Sequence, residues 1–179
     1  MKQEITLHDK VFVPFITAEQ IRVRVADLGR EIHADYKDKN PMFIGILSGS
    51  VIFLSDLVRS LDSVVEMGFM RISSYSGTSS SGKVKSLLAL NDSIKDRHVI
   101  LVEDIIDTGD TAKYLIETLN EQEPASLTFA TLLFKPASLR QEIQPKYIGF
   151  TIPPDFVVGY GLDYDGLGRN LNDIYTLKP

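Results

Sequence analysis

Residues 103 to 111, Glu-Asp-Ile-Ile-Asp-Thr-Gly-Asp-Thr, place three acids directly ahead of a Thr-Gly-x-Thr turn. Carboxylates accept hydrogen bonds from hydroxyls, bind hard cations and take up protons. The turn offers two hydroxyls and free backbone N–H groups, and a helix starting there adds the positive end of its dipole. Together these make a phosphate cradle. Three carboxylates would repel a bare phosphate, so the pattern fits a ligand that also carries hydroxyls, a metal ion or developing positive charge. An acidic turn in which Asp107 or Thr108 merely caps a helix explains one acid, but not three at this spacing. Two other phosphate signatures are absent: Gly-x-x-x-x-Gly-Lys-Ser/Thr, and Gly-x-Gly-x-x-Gly opening a helix after the first strand.

The flanking residues must hold these groups in place. His98-Val-Ile-Leu-Val102 reads as a strand buried on both faces, and a helix is expected through Ala112 to Leu119. Open parallel sheets bind ligands beyond the carboxyl ends of their strands, where this acidic run falls. Upstream, Thr17 and Gln20 have capping-box spacing, and Ile21, Val25, Leu28 and Ile32 follow at helical intervals. That helix is expected to end in the polar stretch beginning at Asp35. Met42 to Leu47 reads as a strand broken by Ser48-Gly49-Ser50, and Val51 to Leu61 returns to helical spacing. Further strands are expected at 64–72, 127–134, 147–150 and 156–158. Strands separated by helical stretches mean βαβ units, so the expectation is one α/β domain over 1–179 with a mainly parallel sheet. Residues 73–82 contain six Ser, two Gly, one Thr and one Tyr, which is either a disordered hairpin tip or a lid over a site.

Composition narrows the function classes. With no cysteine among 179 residues, thiolate catalysis, zinc–cysteine sites and thiol redox chemistry are excluded. His8, His33 and His98 are too scattered to suggest a histidine metal cluster. A net charge of −5 argues against non-specific binding to nucleic acid or anionic membranes. No apolar run approaches the ~20 residues of a membrane span, and the polar start is unlike a secretory signal, so a cytoplasmic setting is expected.

The 103–111 segment resembles the phosphoribosyl-diphosphate (PRPP) binding signature of the type I phosphoribosyltransferases. Gly45-Ile-Leu-Ser-Gly-Ser50, Ser74-Tyr75, Leu132-Leu-Phe-Lys-Pro136 and residues 154–164 with Arg169 narrow the resemblance to the hypoxanthine–guanine phosphoribosyltransferase family. It is collinear from about residue 8 to the end. The resemblance implies a parallel twisted sheet flanked by helices, a small hood, and a mobile loop at about 73–87. It implies transfer of ribose 5-phosphate from PRPP to N9 of a 6-oxopurine, with Mg2+ as cofactor and a homodimer or homotetramer as assembly.

Roles follow from the same resemblance. Asp107 is the implied base for the purine N7 proton. Glu103 and Asp104 would accept hydrogen bonds from the ribose hydroxyls and, with Asp163, hold metal. Thr108, Gly109, Asp110 and Thr111 would hold the 5′-phosphate, while Ser48, Gly49 and Arg169 would meet pyrophosphate. Lys135 would donate to the purine O6, Phe156 would stack on the base and Val157 would contact its edge. Ser74 and Tyr75 would close over the site. Outside the family context, Lys135 reads as a surface lysine and Phe156 as core.

Two positions depart from the family pattern. The first strand usually ends Leu-Lys-Gly or Leu-Arg-Gly, in a turn often containing a cis peptide, whereas here it ends Leu47-Ser48-Gly49. Asp110 stands where a basic or apolar residue is common, and its side chain is expected to face solvent. Rival readings are a xanthine-preferring enzyme and a PRPP-sensing regulator of RNA or DNA. The acidic balance and the lack of an added basic segment count against the regulator.

Overall fold

Uninterrupted apolar runs along the central strands explain how two helical layers share one sheet. In the computed structural model, which describes residues 3–74, 84–88, 90 and 93–179, the main sheet contains β3 (Met42–Leu47), β4 (Glu66–Ser74), β5 (Val84–Leu88), β6 (His98–Ile106), β7 (Ser126–Phe134) and β8 (Tyr147–Thr151). Its order is β5-β4-β3-β6-β7-β8, with every pairing parallel except that of β5 to β4. Phe43, Ile100, Val102, Ala130 and Leu132 pack on one side with α1 (Ala18–Tyr36) and α2 (Val51–Arg59). Met42, Ile44, Val99, Leu101 and Phe129 pack on the other with Ala112, Leu115 and Leu119 of α3 (Asp110–Asn120). Successive strand residues face opposite ways, so continuous apolar runs serve both layers.

The capping box expected at Thr17 forms on both sides. Thr17 Oγ1 accepts from the Gln20 N–H at 3.2 Å, and Gln20 Oε1 accepts from the Thr17 N–H at 2.9 Å. Such a cap contributes roughly 1 kcal/mol to the start of α1. The buried stripe contains the four residues read from the periodicity, Ile21, Val25, Leu28 and Ile32, joined by Tyr36.

A second, antiparallel sheet forms the hood, in the order β1-β2-β10-β9 from β1 (Ile5–Leu7), β2 (Lys10–Ile16), β10 (Ile174–Leu177) and β9 (Val157–Val158). It joins the main body through Tyr160 Oη, which donates to Asp56 Oδ2 of α2 at 2.7 Å.

Three departures from the sequence expectation bear on the site. β6 runs on through Ile106, because Glu103 and Ile105 keep their register with Thr131 and Leu133 of β7 whatever their side-chain polarity. Residues 157–158 belong to the hood and not to the parallel sheet. Within the segment expected as a loop at 73–87, Ser73 and Ser74 end β4 and residues 84–87 lie in β5, which pairs antiparallel with β4. Tyr75 and the rest of 75–83 lie outside the described residues.

Candidate functional site

The five parallel strands follow the order 2-1-3-4-5 when numbered along the chain, and β3 and β6 are the neighbours at which that order reverses. The helix after β3 packs on one face and the helix after β6 on the other, which leaves a crevice between the carboxyl ends of these two strands. Ser48-Gly49-Ser50 leaves β3 at this point, and Glu103 to Thr111 surrounds it from β6.

Glu103 is only 4% exposed. Burial, reinforced by the charge of Asp104, pushes its carboxyl up to about 8. Together with Ile105, Ile106, Asp107, Thr108, Gly109, Thr111 and Ala112, it lines a cavity of about 100 Å3. One water needs on the order of 10–15 Å3 on the same measure, so the cavity accommodates a group the size of a phosphate.

Asp104, one residue on, leaves the opposite face of the strand and lies against Gly49, where a Cβ would overlap its carboxylate. Burial pushes Asp104 up to about 6, opposed by a hydrogen bond from the Ile105 N–H and by the nearby charge of Arg169.

Gly109 caps α3 in the left-handed region at φ 83, with Ile143, Leu139 and Gln141 closing around it. A side chain there would be strained, so glycine keeps the loop tight at the helix N-terminus. Asp110 begins α3, where an acid complements the helix dipole. Its side chain is exposed, as the sequence reading expected, but it has partners. Gln141 Nε2 donates to Oδ1 at 2.9 Å and Thr108 Oγ1 donates to Oδ2 at 3.1 Å. These two bonds, the Gln141 bond foremost, hold Asp110 below the usual carboxylate range.

Lys135 is not a surface lysine, being 5% exposed. Its Nζ donates to Asp107 Oδ2 at 2.9 Å, and its N–H donates to the Ile106 carbonyl at 3.0 Å. The end of β7 is thereby tied to the turn that follows β6. A buried ammonium needs such a partner, and Asp107, about half-exposed, supplies it.

The remaining predicted residues divide between the crevice and the hood. Ser48 is exposed and joined to Leu47 by a cis peptide. Gly161, at φ 103, packs so closely on Gly49 that a Cβ there would overlap the Gly49 carbonyl. Arg169 Nη1 donates to the Gly161 carbonyl at 2.7 Å, and its Nη2 pairs with Asp163 Oδ1 at 2.6 Å. Asp163 Oδ2 accepts from the Gly166 N–H at 2.8 Å, so both of its oxygens are engaged. Val157 is buried in β9, whereas the Phe156 ring is 42% exposed. That ring packs against Phe12 and Tyr164, with Lys10 Nζ 5.5 Å from its centroid.

The three acids expected to hold metal lie near enough to act on one another, the charge of Asp104 raising Glu103 and that of Asp163 raising Asp104, and among the described residues no group of three or more His, Asp or Glu side chains forms a closed ligand set. Glu103 and Asp104 leave opposite strand faces, and Asp163 is neutralised by Arg169. The donor chemistry still suits Mg2+, which is held by one or two carboxylates with substrate phosphates and water supplying the remaining oxygens. Asp104, a buried carboxylate pushed up in pKa, is a site where a cation is favourable.

Sequence reasoning missed Gln141, Lys10, Tyr160 and Asp56. Gln141 and Lys10 sit in polar surface stretches with no distinguishing pattern. The Gly159-Tyr160-Gly161 spacing did carry a signal, because both glycines adopt positive φ.

Comparison with known proteins agrees with this geometry. The model of the phosphoribosyl transferase domain matches residues 16–165. The chain is similar to the hypoxanthine-guanine phosphoribosyltransferase of Lactococcus lactis, at 47% identity over 165 residues, covering 92% of this chain and 90% of that protein. Against the Bacillus subtilis protein of the same name, identity is 42% over 165 residues and coverage is 92% of each. The crystal structure of a hypoxanthine phosphoribosyltransferase from Staphylococcus aureus superposes with a TM-score of 0.89 at 43% identity, covering 93% of this chain and 91% of that one. The chain is also 42% identical over 175 residues to the bifunctional TilS/HprT protein of Listeria monocytogenes, but spans only 27% of that protein's length.

Proposed function

The chain belongs to the phosphoribosyltransferase family, and from that premise we propose that it is a hypoxanthine-guanine phosphoribosyltransferase, with residues 1–179 acting as one catalytic unit. It transfers the 5-phosphoribosyl group of PRPP to N9 of hypoxanthine, and of guanine, giving the nucleoside monophosphate and pyrophosphate. The biological role is purine salvage. The observation that supports this reading is the Lys135–Asp107 pair beside the 108–111 loop, groups to which the reading gives the roles of base-reading ammonium, proton acceptor and phosphate cradle.

The chemistry follows from the charges. As the C1′–oxygen bond to pyrophosphate breaks, the ribose acquires oxocarbenium character, the charge problem also met in glycoside hydrolysis. Glu103 and Asp104 accept the ribose hydroxyls, and a positive ribose relieves the penalty that raises both pKa values. N9 attacks C1′ while Asp107 takes the proton from N7. Lys135 holds Asp107 Oδ2, and Oδ1 has no partner among the described residues. Lys135 also donates to O6, which favours a 6-oxopurine over adenine. The exposed face of Phe156 stacks on the base, with the Val157 backbone at its edge.

Thr108, Gly109, Asp110 and Thr111 hold the 5′-phosphate through backbone N–H groups at the start of α3 and through the hydroxyls of Thr108 and Thr111. Ser48, Gly49 and Arg169 meet the pyrophosphate. Asp104 and Asp163, with Glu103, would hold Mg2+, which would supply Lewis-acid neutralisation of the leaving diphosphate.

The protein acts as a homodimer or homotetramer in the cytoplasm. Among the described residues no helix is long and apolar enough to cross a membrane. The direct test is a panel of hypoxanthine, guanine, xanthine, adenine and uracil with PRPP and Mg2+. IMP and GMP formation is expected. Product from xanthine alone would make the enzyme xanthine-preferring, and no product from any base would overturn the reading.

A further inference from the structure

An acid inside a phosphate-binding loop needs an account, and the hydrogen bonds around Asp110 supply one. Its carboxylate accepts the Thr108 hydroxyl at 3.1 Å, and its own N–H lies 3.4 Å from Thr108 Oγ1. The Thr108 proton is therefore spent on Asp110 and not offered into the cavity that Thr108 lines. The second carboxylate oxygen is held at 2.9 Å by Gln141, on a segment that is itself anchored to the loop. Arg140 N–H donates to the Thr108 carbonyl at 2.9 Å, and Leu139 and Ile143 close over Gly109. This segment leads directly from Lys135, so the base-reading strand end and the phosphate loop share one support.

We propose that Asp110 is an affinity-setting residue that competes with the substrate 5′-phosphate for the Thr108 hydroxyl, and that Gln141 is the positioning residue that limits this competition. The proposal rests on the phosphoribosyltransferase reading, specifically on the 108–111 loop as the phosphate site. When phosphate binds, the Thr108 hydroxyl must turn from one anion to the other, and the two anions repel across the start of α3. Gln141 donates to Asp110 and keeps its carboxylate on the outer side of the loop. Without Gln141, Thr108 is, among the described residues, the one hydrogen-bond partner left to the carboxylate beside the charges of Arg140 and Lys113, and the carboxylate competes harder.

The test measures IMP binding by calorimetry, with hypoxanthine as the phosphate-free probe. Asp110→Ala removes both competition and repulsion, and should tighten IMP by about 3- to 30-fold at low salt, less at high salt. Hypoxanthine binding should not change. Asp110→Asn keeps the shape without the charge and guards against loss of fold in the alanine variant. Gln141→Leu should weaken IMP several-fold in the wild type and have no effect in the Asp110→Ala background, the signature of coupled residues in a double-mutant cycle. Unchanged or weaker IMP binding in both Asp110 variants would overturn the proposal. So would an equal Gln141→Leu effect in the two backgrounds, which would make Gln141 a structural residue. If the wild type binds no IMP at all, the phosphoribosyltransferase reading itself fails, and the proposal falls with it.

Discussion

Lys135 Nζ sits 2.9 Å from Asp107 Oδ2, so the residue proposed to read the purine also orients the residue proposed to take its proton. Under the proposed function, this contact couples base recognition to base activation. Lys135→Ala should raise the KM for hypoxanthine by roughly 10- to 150-fold, the worth of a charge-assisted hydrogen bond, and should lower kcat because Asp107 loses its support. The KM for PRPP should stay nearly constant. Steady-state kinetics with each substrate varied separate these effects, and an unchanged kcat would mean that Asp107 is positioned without Lys135.

Asp107→Asn keeps the shape of the pair but removes the proton acceptor. PRPP binding should persist while kcat drops by on the order of 10²–10⁴. Equilibrium binding of PRPP beside single-turnover kinetics is the check. A loss confined to KM would make Asp107 a binding residue.

Glu103 makes metal-free stability depend on pH. The folded protein holds this carboxyl at about 8, against an ordinary value near 4.5 in the unfolded chain. Between those limits the folded state keeps a proton that the unfolded state has released. Stability is therefore greatest below the lower value and falls as pH rises through the upper one. Glu103→Gln should flatten this dependence and raise Tm at pH 8.5 more than at pH 5. Thermal melts in chelator at several pH values test it, and parallel Tm–pH curves for the two proteins would refute it.

Gly161→Ala should loosen the hood from the crevice. Alanine at φ 103 is strained, and its Cβ would overlap the Gly49 carbonyl. Strain of this kind costs about 1–3 kcal/mol, and for a chain of this size each kcal/mol lowers Tm by roughly 2–4 °C. Pyrophosphate binding should weaken as well, because Arg169 is aligned by the Gly161 carbonyl. A variant with native Tm and native affinity would show that this contact supports neither.

Ser48→Lys would place a cation beside the proposed pyrophosphate site at the end of β3. Ser48 is exposed, so the longer side chain has room. A charge-assisted bond to a partly solvated anion is worth about 1.5–3 kcal/mol, less whatever Arg169 already provides. Titration of pyrophosphate at constant Mg2+ should show tighter binding that weakens as salt rises. Equal affinities at low salt would mean that the turn works through its backbone alone.

The sequence by itself determined the local chemistry and most of the main sheet. Thr17 with Gln20 specified a helix start because both halves of the capping box lie within four residues. The apolar runs at 42–47 and 127–134 specified buried strands because nothing polar interrupts them. The 103–111 run marked a candidate phosphate-binding turn because its donors and acids are contiguous. What it could not specify depends on residues far apart in the chain. β1, β2 and β10 are short strands without strong alternation, and they become a sheet only when the two ends of the chain meet in the hood. Lys135 and Phe156 looked like a surface lysine and a core ring. Burial against the end of β6 made the lysine an ion-pair partner for Asp107, and hood packing left the ring half-exposed beside Tyr164. Asp163 and Arg169 lie six residues apart, but only the fold showed that each neutralises the other. Gln141 carries no local signal at all, and its hydrogen bond to Asp110 exists because the segment after β7 folds back over the loop after β6. Contiguous patterns encode backbone geometry and local donors, whereas charge pairing, burial and pKa are set by neighbours that only the tertiary fold brings within reach.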